Sequence, residues 1–478
     1  MTAEQNYPSQ TIRMRIGDSW VDAERHQEIR DPYRNDCIAR APVSTAQDCE
    51  DALACAHAAK SEMAAMPGHE RARLLHAAAD NVSQRAYEIA EAMTRETGKA
   101  LRDSRVETQR AAELLHLCAE EAVRIQGEHI PMDATANGAG KMAWLMRFPV
   151  GAVAAITPFN GPISLTAHKL GPALAAGNSL VLKPSPKAPL CVHKLVEAVI
   201  DAGVPAGAVN TLYGDDIGPQ MVRDPRIDFV SFTGSIPVGK LIRDTIGMKR
   251  VALELGGVGP TFVHRDADVK AAAIACARNG VLLAGQSCVS VQNIFVHKSV
   301  HDSFVEALCD ELDKIRFGDP LDLDTEVGTL IDEQAAARVE QMLEQAVEAG
   351  AKPLRGWRRN GAQLSGTILT RVTPHMRVVS EEIFGPAMTL QTYEDIEPLF
   401  KAISDSPYGL QCGLYTNSLD LAMSAFKTIR TGGVILNGTS RWRSDQMPYG
   451  GVKDSGIGRE GPKFSIRDMT EERLLVIN

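Results

Sequence analysis

Apolar residues in the first quarter of the chain recur at helical spacing. "AQDCEDALACAHAAKSEMAAM" and "ERARLLHAAADNVSQRAYEIAEAMTRETG" place them at i, i+3 and i+4 between charged residues, which predicts helices across residues 45–125. Gly98 closes the second run, as glycine commonly does at a helix end. From residue 148 the period changes. The strand-length runs "VGAVAAIT", "SLVLKPS", "AVNTLYG", "IDFVSFTG" and "RVALELGG" alternate with the helical stretches "HKLGPALAAG", "PLCVHKLVEAVIDAG" and "SIPVGKLIRDTIG". Such alternation predicts a parallel sheet with helices on both faces, a class that binds ligands at the carboxyl ends of its strands. A second series follows Gly257, opening with "DVKAAAIACARNGVLLAGQSC" as a helix capped by Asp266 or Asp268. Two α/β domains are therefore expected to meet near residues 254–260.

Two segments break the rhythm. "VRIQGEHIPMDATANGAGKMAWLMR", residues 123–147, is turn-rich and reads as a projecting hairpin. The tail "EERLLVIN" reads as a short strand, and an exposed terminal strand needs something to pair with.

Composition narrows the function classes. The chain has 478 residues, 44% apolar and 23% charged, which is ordinary globular usage and excludes a disordered chain. The net charge of -9 comes with no long Lys/Arg run, against nucleic acid as a partner. No stretch of about 18 apolar residues predicts a membrane span. The start "MTAEQNYPSQ" lacks a basic and then apolar leader pattern. The nine cysteines are scattered and form no C-x-x-C pair, which fits a reducing cytoplasm, with no disulfide framework and no metal site expected.

Two motifs mislead. "GSIPVGKL", residues 234–241, approaches a phosphate-binding P-loop, but Leu241 stands where a magnesium-holding Ser or Thr belongs. That excludes nucleoside-triphosphate hydrolysis and keeps the idea of a phosphate at this helix N-terminus. "GIGREG", residues 456–461, matches G-x-G-x-x-G but ends 17 residues (478 minus 461) before the last residue, leaving no room for a βαβ unit; it reads as a turn cluster.

The remaining motifs belong together. "TPFN" (157–160), "LKPS" (182–185), "SFTGS" (231–235), "ELGG" (254–257), "GQSC" (285–288), "EEIFGP" (381–386) and "MPYGGVKDSGIGREG" (447–461) occur in this order. Each has a bland reading alone: Glu254 a surface carboxylate, Asn160 a turn residue, Cys288 one small core residue among nine. In register, the seven resemble the aldehyde dehydrogenase superfamily, from about Trp20 to the C-terminus. The resemblance implies an α/β fold with a Rossmann-like NAD(P)-binding domain over 1–122 and 148–256. It implies a catalytic domain over 257–453 and oligomerisation elements over 123–147 and 454–478, in a homodimer or homotetramer.

The resemblance also implies a site. Cys288 matches the nucleophile, suited to adding to a carbonyl and later leaving. Asn160 matches the oxyanion donor, acting with the Cys288 backbone N–H. Glu254 matches the general base that activates water, and Lys169 a supporting position. The cofactor positions fall on Thr157, Pro158, Lys183, Ser185, Gly234, Ser235, Gly239, Leu255, Glu382 and Phe384. The cofactor is NAD or NADP: Pro186 stands where many NAD-preferring members carry a ribose-binding Glu, so no carboxylate repels a 2′-phosphate.

Other departures concern the substrate. Gly161 and His168 replace residues that are often aromatic in members taking apolar aldehydes. Arg441 and Arg443 lie in the substrate loop, Arg105 on a helix expected to line the tunnel, and Ser287 precedes the nucleophile. Arginine suits carboxylate, phosphonate or sulfonate recognition, so a small polar or anionic aldehyde is expected. The likeness is to the lactaldehyde, semialdehyde and phosphonoacetaldehyde dehydrogenase branch. Phosphonoacetaldehyde enzymes carry Arg before the nucleophile, so Ser287 speaks against that substrate. A CoA-acylating semialdehyde dehydrogenase is the second reading, disfavoured by the presence of Glu254. A non-catalytic relative is the third, disfavoured by Cys288.

Overall fold

The structure, a computed structural model, describes residues 9–478; the reading of the first eight residues as no leader lies outside them. Five of the apolar runs form a parallel sheet in the order Val209–Thr211, Ser179–Lys183, Ala152–Ile156, Phe229–Thr233, Arg250–Glu254. These strands are covered on both faces and so are apolar nearly throughout. The chain winds outward from Ala152–Ile156, then restarts on its other side at Phe229–Thr233. That reversal opens a crevice at the carboxyl ends of the two strands, where Ile156 pairs with Phe232 and Thr233 with Glu254.

The helix Leu101–Ala122 packs on Gly68–Gln84 and on Pro162–Ala176. Leu75, Leu115, Leu170, Val181 and Val230 share one core with Ile12, Met14, Ile29 and Ile38 from the N-terminal strands. The second sheet has seven strands, parallel except for Lys352–Arg355 at one edge, with Thr261–Val263 and Asn293–His297 at its centre. It builds a separate core around Val263, Ile294, Phe304, Leu343 and Leu390.

The turn-rich segment and the tail meet. Thr470–Ile477 pairs antiparallel along its whole length with Met142–Pro149, which also pairs with Glu128–Ile130. The residues just before the tail differ from expectation. Gly456–Ile457 adds an antiparallel edge strand beside Arg250–Glu254, and Ile466 and Met469 sit in the first core. The stretch 456–469 thus packs with the first sheet, where Ile466 and Met469 are buried, and 470–477 extends outward. Among the described residues, no helix is long and apolar enough to cross a membrane.

Candidate active site

The cysteine is delivered by a strained turn. The helix Val269–Val281 is capped by Asp268, whose Oδ1 accepts from the Ala271 N–H at 3.0 Å; Asp266 instead accepts from the Thr416 hydroxyl at 2.8 Å. Leu283, Ala284 and Gly285 then adopt φ of 58°, 52° and 71° in succession. Left-handed geometry costs about 1–3 kcal/mol at each non-glycine position, so neighbouring contacts must hold it. A Cβ on Gly285 would lie 1.9 Å from the Gly385 carbonyl oxygen, so only glycine lets the turn approach that backbone. Gln286 fastens the turn, accepting from the Ile331 N–H at 2.9 Å and donating to the Leu283 carbonyl at 3.2 Å.

Cys288 Sγ lies 2.9 Å from the hydroxyl of Tyr449. The side chain keeps some accessible surface, yet its enclosure pushes the thiol up to about 12. The Tyr449 hydrogen bond and the charge of Arg443 act in the opposite direction. Asn160 Nδ2 donates to the Gln286 carbonyl at 2.9 Å, tying the amide to the cysteine loop. The helix Pro162–Ala176 follows at once, and its first turn is held by Glu107. Glu107 Oε1 accepts from the Ile163 and Ser164 N–H groups at 3.0 and 3.1 Å, and Oε2 pairs with Lys99.

A string of buried charges runs beside the cysteine. Lys169 Nζ donates to Glu460 Oε1 at 2.9 Å and to the Thr233 hydroxyl at 2.7 Å. Arg443 Nη2 donates to Glu460 Oε2 at 3.1 Å and to His168 Nε2 at 2.9 Å, with its guanidinium 3.9 Å above the Tyr449 ring. Asp445 receives Arg110 on both oxygens, at 2.6 and 3.1 Å. Burial pushes the Glu460 carboxyl up, but Lys169, His168 and Arg443 outweigh it and hold it down to about 2. Burial, aided by Arg443, keeps His168 below the usual imidazole range. His168 Nε2 also lies 3.3 Å from Asp445 Oδ1, and its Nδ1 is buried without a partner.

Glu254 stands outside this string. It is 4% exposed and neither oxygen has a partner. Burial first, and then the charge of Glu460, push its carboxyl well above the usual range against Lys169, Arg443 and Arg459. A carboxyl raised in this way is poised to take a proton.

Two spaces converge on the sulfur. At the sheet crevice, a cleft of about 610 Å³ is lined by Thr157, Pro158, Lys183, Ser185, Gly234 and Ser235. Ser235 is the N-cap of the helix Ile236–Thr245, and its hydroxyl makes no bond to the first turn. The residues fit an NAD(P) dinucleotide, with a helix N-terminus for its phosphates. Glu382 supports the fit. A Cβ on Gly256 would lie 2.4 Å from its Oε2, its one protein donor is the Gly257 N–H at 3.5 Å, and burial pushes it up to about 7. Ribose hydroxyls would complete such a carboxylate. Phe384 meets Phe159 edge-on at 5.9 Å, and Leu255 lines the inner cavity with Glu254, Cys288 and Glu382.

Lys183 lines the cleft while its Nζ donates to Asp215 at 2.9 Å. Gly239 lies against Leu255 instead of lining the cleft, so it lets the helix close on the strand end. The neighbouring Lys240 turns outward to Asp454 at 2.7 Å.

On the other side of the sulfur, a cavity of about 200 Å³ is lined by Asn160, His168, Ser287, Arg441 and Arg443, with Asp103 and Arg110 on its helical wall. Cys288 and Tyr449 line this cavity and the inner cofactor cavity alike. Arg105 is not part of it: the side chain is exposed and stacks over Tyr87. On the helix Leu101–Ala122, the face at 103, 106, 107 and 110 looks into the cavity, and residue 105 falls outside that i, i+3, i+4, i+7 stripe. Arg441 and Arg443 also separate. Arg443 is committed to Glu460 and His168. Arg441 has a buried Nε without a partner, and among the described residues no carboxylate lies within ion-pair distance of it; burial lowers its pKa.

Sequence reasoning missed Glu107, Arg110, Tyr449 and Glu460. The last two lie inside the quoted run 447–461, and Arg110 shares a helix stripe with Asp103. Glu107 carried no sequence signal.

Comparison with known proteins agrees with this geometry. The sequence pattern of the Aldehyde dehydrogenase family matches residues 20–475. The chain is 43% identical over 465 residues to a 3-sulfolactaldehyde dehydrogenase of Priestia aryabhattai, covering 97% of each. Its fold is similar to aldehyde dehydrogenase 21 from Physcomitrella patens, solved with the reaction product succinate, at a TM-score of 0.95 and 35% identity over 98% of this chain and 99% of that one. It is equally similar, with a TM-score of 0.95, 35% identity and the same coverage, to an NADP-dependent glyceraldehyde-3-phosphate dehydrogenase from Bacillus halodurans complexed with NADP.

Proposed function

The chain belongs to the aldehyde dehydrogenase family and is an NAD(P)-dependent oxidoreductase acting on an aldehyde; from that premise we propose that its substrate is a short aldehyde bearing an anionic group, of the sulfolactaldehyde or semialdehyde kind. The observation that carries the substrate reading is Arg441, a half-buried cation on the wall of the cavity that holds Cys288, unpaired among the described residues and with its buried Nε unpartnered. A sulfonate or carboxylate would satisfy that donor, and an enclosed cation without an anion is costly. A similar enzyme named for an anionic aldehyde and a similar structure holding succinate support the same choice.

In this mechanism the Cys288 sulfur adds to the carbonyl carbon, and the π pair moves onto oxygen. The alkoxide accepts from Asn160 Nδ2, released from the Gln286 carbonyl, and from the Cys288 N–H; such a donor is worth about 2.7–4 kcal/mol in comparable sites. A bound nicotinamide supplies the acceptor for the hydride leaving that carbon, and a thioester remains on Cys288. Glu254 then takes a proton from water as the water oxygen bonds the thioester carbon. The C–S bond breaks, the acid departs, and the sulfur regains its electron pair. Lys169 positions Glu460, whose charge keeps Glu254 basic.

NAD(P)H formation from 3-sulfolactaldehyde, succinate semialdehyde, lactaldehyde and propanal, with and without CoA, tests this reading. Turnover of the anionic aldehydes without CoA is expected. A strict CoA requirement would overturn the hydrolytic mechanism, and preference for propanal would overturn the anionic substrate.

The chain is further read as a homo-oligomer through its three-stranded sheet. Met142, Trp144, Met146, Leu474, Leu475, Val476 and Ile477 are all exposed on the outer paired strands. An apolar strand of that length calls for cover, and a second copy of the chain supplies it.

A further inference from the structure

The reading of Cys288 as nucleophile leaves its closest polar neighbour without a role. Tyr449 is buried, its hydroxyl is 2.9 Å from Cys288 Sγ, and among the described residues the sulfur is its one side-chain hydrogen-bond partner. Its ring is clamped by the Arg443 guanidinium at 3.9 Å, and its main chain is locked on both sides by hydrogen bonds with Glu460 at 3.0 and 2.6 Å. The hydroxyl is therefore held in place. It also sits where the substrate cavity and the inner cofactor cavity meet.

We propose that Tyr449 is a catalytic residue of this enzyme: its O–H donates to the Cys288 thiolate, which raises the fraction of reactive sulfur and aims it into the substrate cavity. The proposal rests on Cys288 being the nucleophile.

The direction of donation follows from the chemistry. A thiolate carries no proton and can only accept, so the phenol must donate to it. A thiol has either option and gains less, because bonds to an ionised partner are about twice as strong as neutral ones. The bond therefore favours ionisation. Other charges near the sulfur divide: Glu382 and Glu254 oppose the thiolate, Arg443 and Arg441 favour it. Burial keeps the phenol's own proton in place, pushing Tyr449 well above its ordinary range, so it remains a donor when Cys288 ionises. When the sulfur bonds to the carbonyl carbon, it gives up its negative charge and the contact weakens. It reforms when the thioester breaks and the thiolate leaves, so Tyr449 assists the departure as well as the resting state.

The test uses the whole enzyme. Alkylation of Cys288 by iodoacetamide forms the S–C bond and expels iodide, and its rate at one fixed pH is followed on the Cys288 peptide by mass spectrometry. Tyr449→Phe removes only the hydroxyl. The rate is expected to fall about tenfold or more, the worth of a hydrogen bond to a charged group. Fluorotyrosine at position 449, a stronger donor of nearly the same shape, should raise it. An unchanged or faster rate in Tyr449→Phe, or a slower one with fluorotyrosine, overturns the proposal. If the Phe variant does not fold, the fluorotyrosine arm decides alone. Alkylation needs no aldehyde, so it is separate from the function assay; retention of aldehyde oxidation by Cys288→Ala would instead overturn the nucleophile on which the proposal rests.

Discussion

Replacing Arg441 by methionine separates recognition from architecture. The side chain makes no ion pair among the described residues, and its Nε is buried without a partner. Methionine is similar in length and apolar, so the substitution removes an unpartnered half-buried cation and breaks no recorded side-chain bond. Replacing a poorly compensated buried charge by an apolar residue is often neutral or stabilising, so the thermal midpoint should stay or rise. Activity should fall selectively. A charge-assisted hydrogen bond to an anion contributes about 1.5–3 kcal/mol, which corresponds to roughly a 10- to 150-fold loss in kcat/KM at 1.4 kcal/mol per tenfold. That loss should appear with succinate semialdehyde or 3-sulfolactaldehyde and be nearly absent with propanal.

Arg443→Met is the control with the opposite signature. It strips Glu460 of one of its two cations and His168 of its donor. Breaking a buried charge network from one side costs about 3–5 kcal/mol, and the loss of activity should be similar for anionic and neutral aldehydes. Steady-state kcat/KM on the two substrate types, with denaturation midpoints for both variants, completes the assay. Equal losses on both substrates in Arg441→Met, or a substrate-selective loss only in Arg443→Met, would refute the assignment.

The other expectations concern the base, its neighbour and the sheet edge. Glu254→Gln should still give a burst of NAD(P)H equal to the active sites, with steady turnover slowed by about 10²–10⁴-fold, the usual contribution of a general base. Because the Glu254 carboxyl is raised, wild-type deacylation should climb as pH rises through its pKa, and the Gln variant should lack that limb. Glu460 is depressed to about 2, so its contribution to stability is present above the ordinary carboxylate pKa and is lost as pH falls from about 4.5 towards 2. Urea midpoints of wild type and Glu460→Gln should therefore converge across that window; a constant gap would contradict the pairing. Leu475→Arg should dissociate the oligomer in light scattering, and an unchanged mass would move the interface elsewhere.

The sheet was legible because it depends on local signals. Strands buried on both faces are apolar runs, and the turn after Val269–Val281 needs the glycine seen at 285. Cys288, Glu254 and Asn160 were legible only through joint order and likeness to a family. What stayed hidden depends on who faces whom. Arg105 and Arg110 are the same residue type on one helix, yet the first stacks on Tyr87 in solvent and the second clamps Asp445. Arg441 and Arg443 are two apart in one loop, and only the fold shows that one is paired. The stretch before the tail hid more for the same reason: its glycine cluster signals turns, and only the fold returns Ile466 and Met469 to the first core.

Partnership also explains how the same fold can be both stable and reactive. From Arg110 to Lys169 the charges alternate in sign and pair with one another, so this part of the site is rigid scaffolding. The buried atoms left unpartnered near the sulfur are the two oxygens of Glu254, the Nε atoms of Arg441 and Arg443, the Nδ1 of His168 and an oxygen of Asp103, with Glu382 held by a long bond from Gly257. Leaving a buried polar group unmade costs about 1–3 kcal/mol, and native structures carry few of them. Half of those in the described residues lie around one sulfur, in places where water, an anionic group and a ribose would each complete one. Such a cluster destabilises the free enzyme and is relieved by its ligands, so binding of cofactor and substrate should stabilise this protein more than contact area alone would suggest.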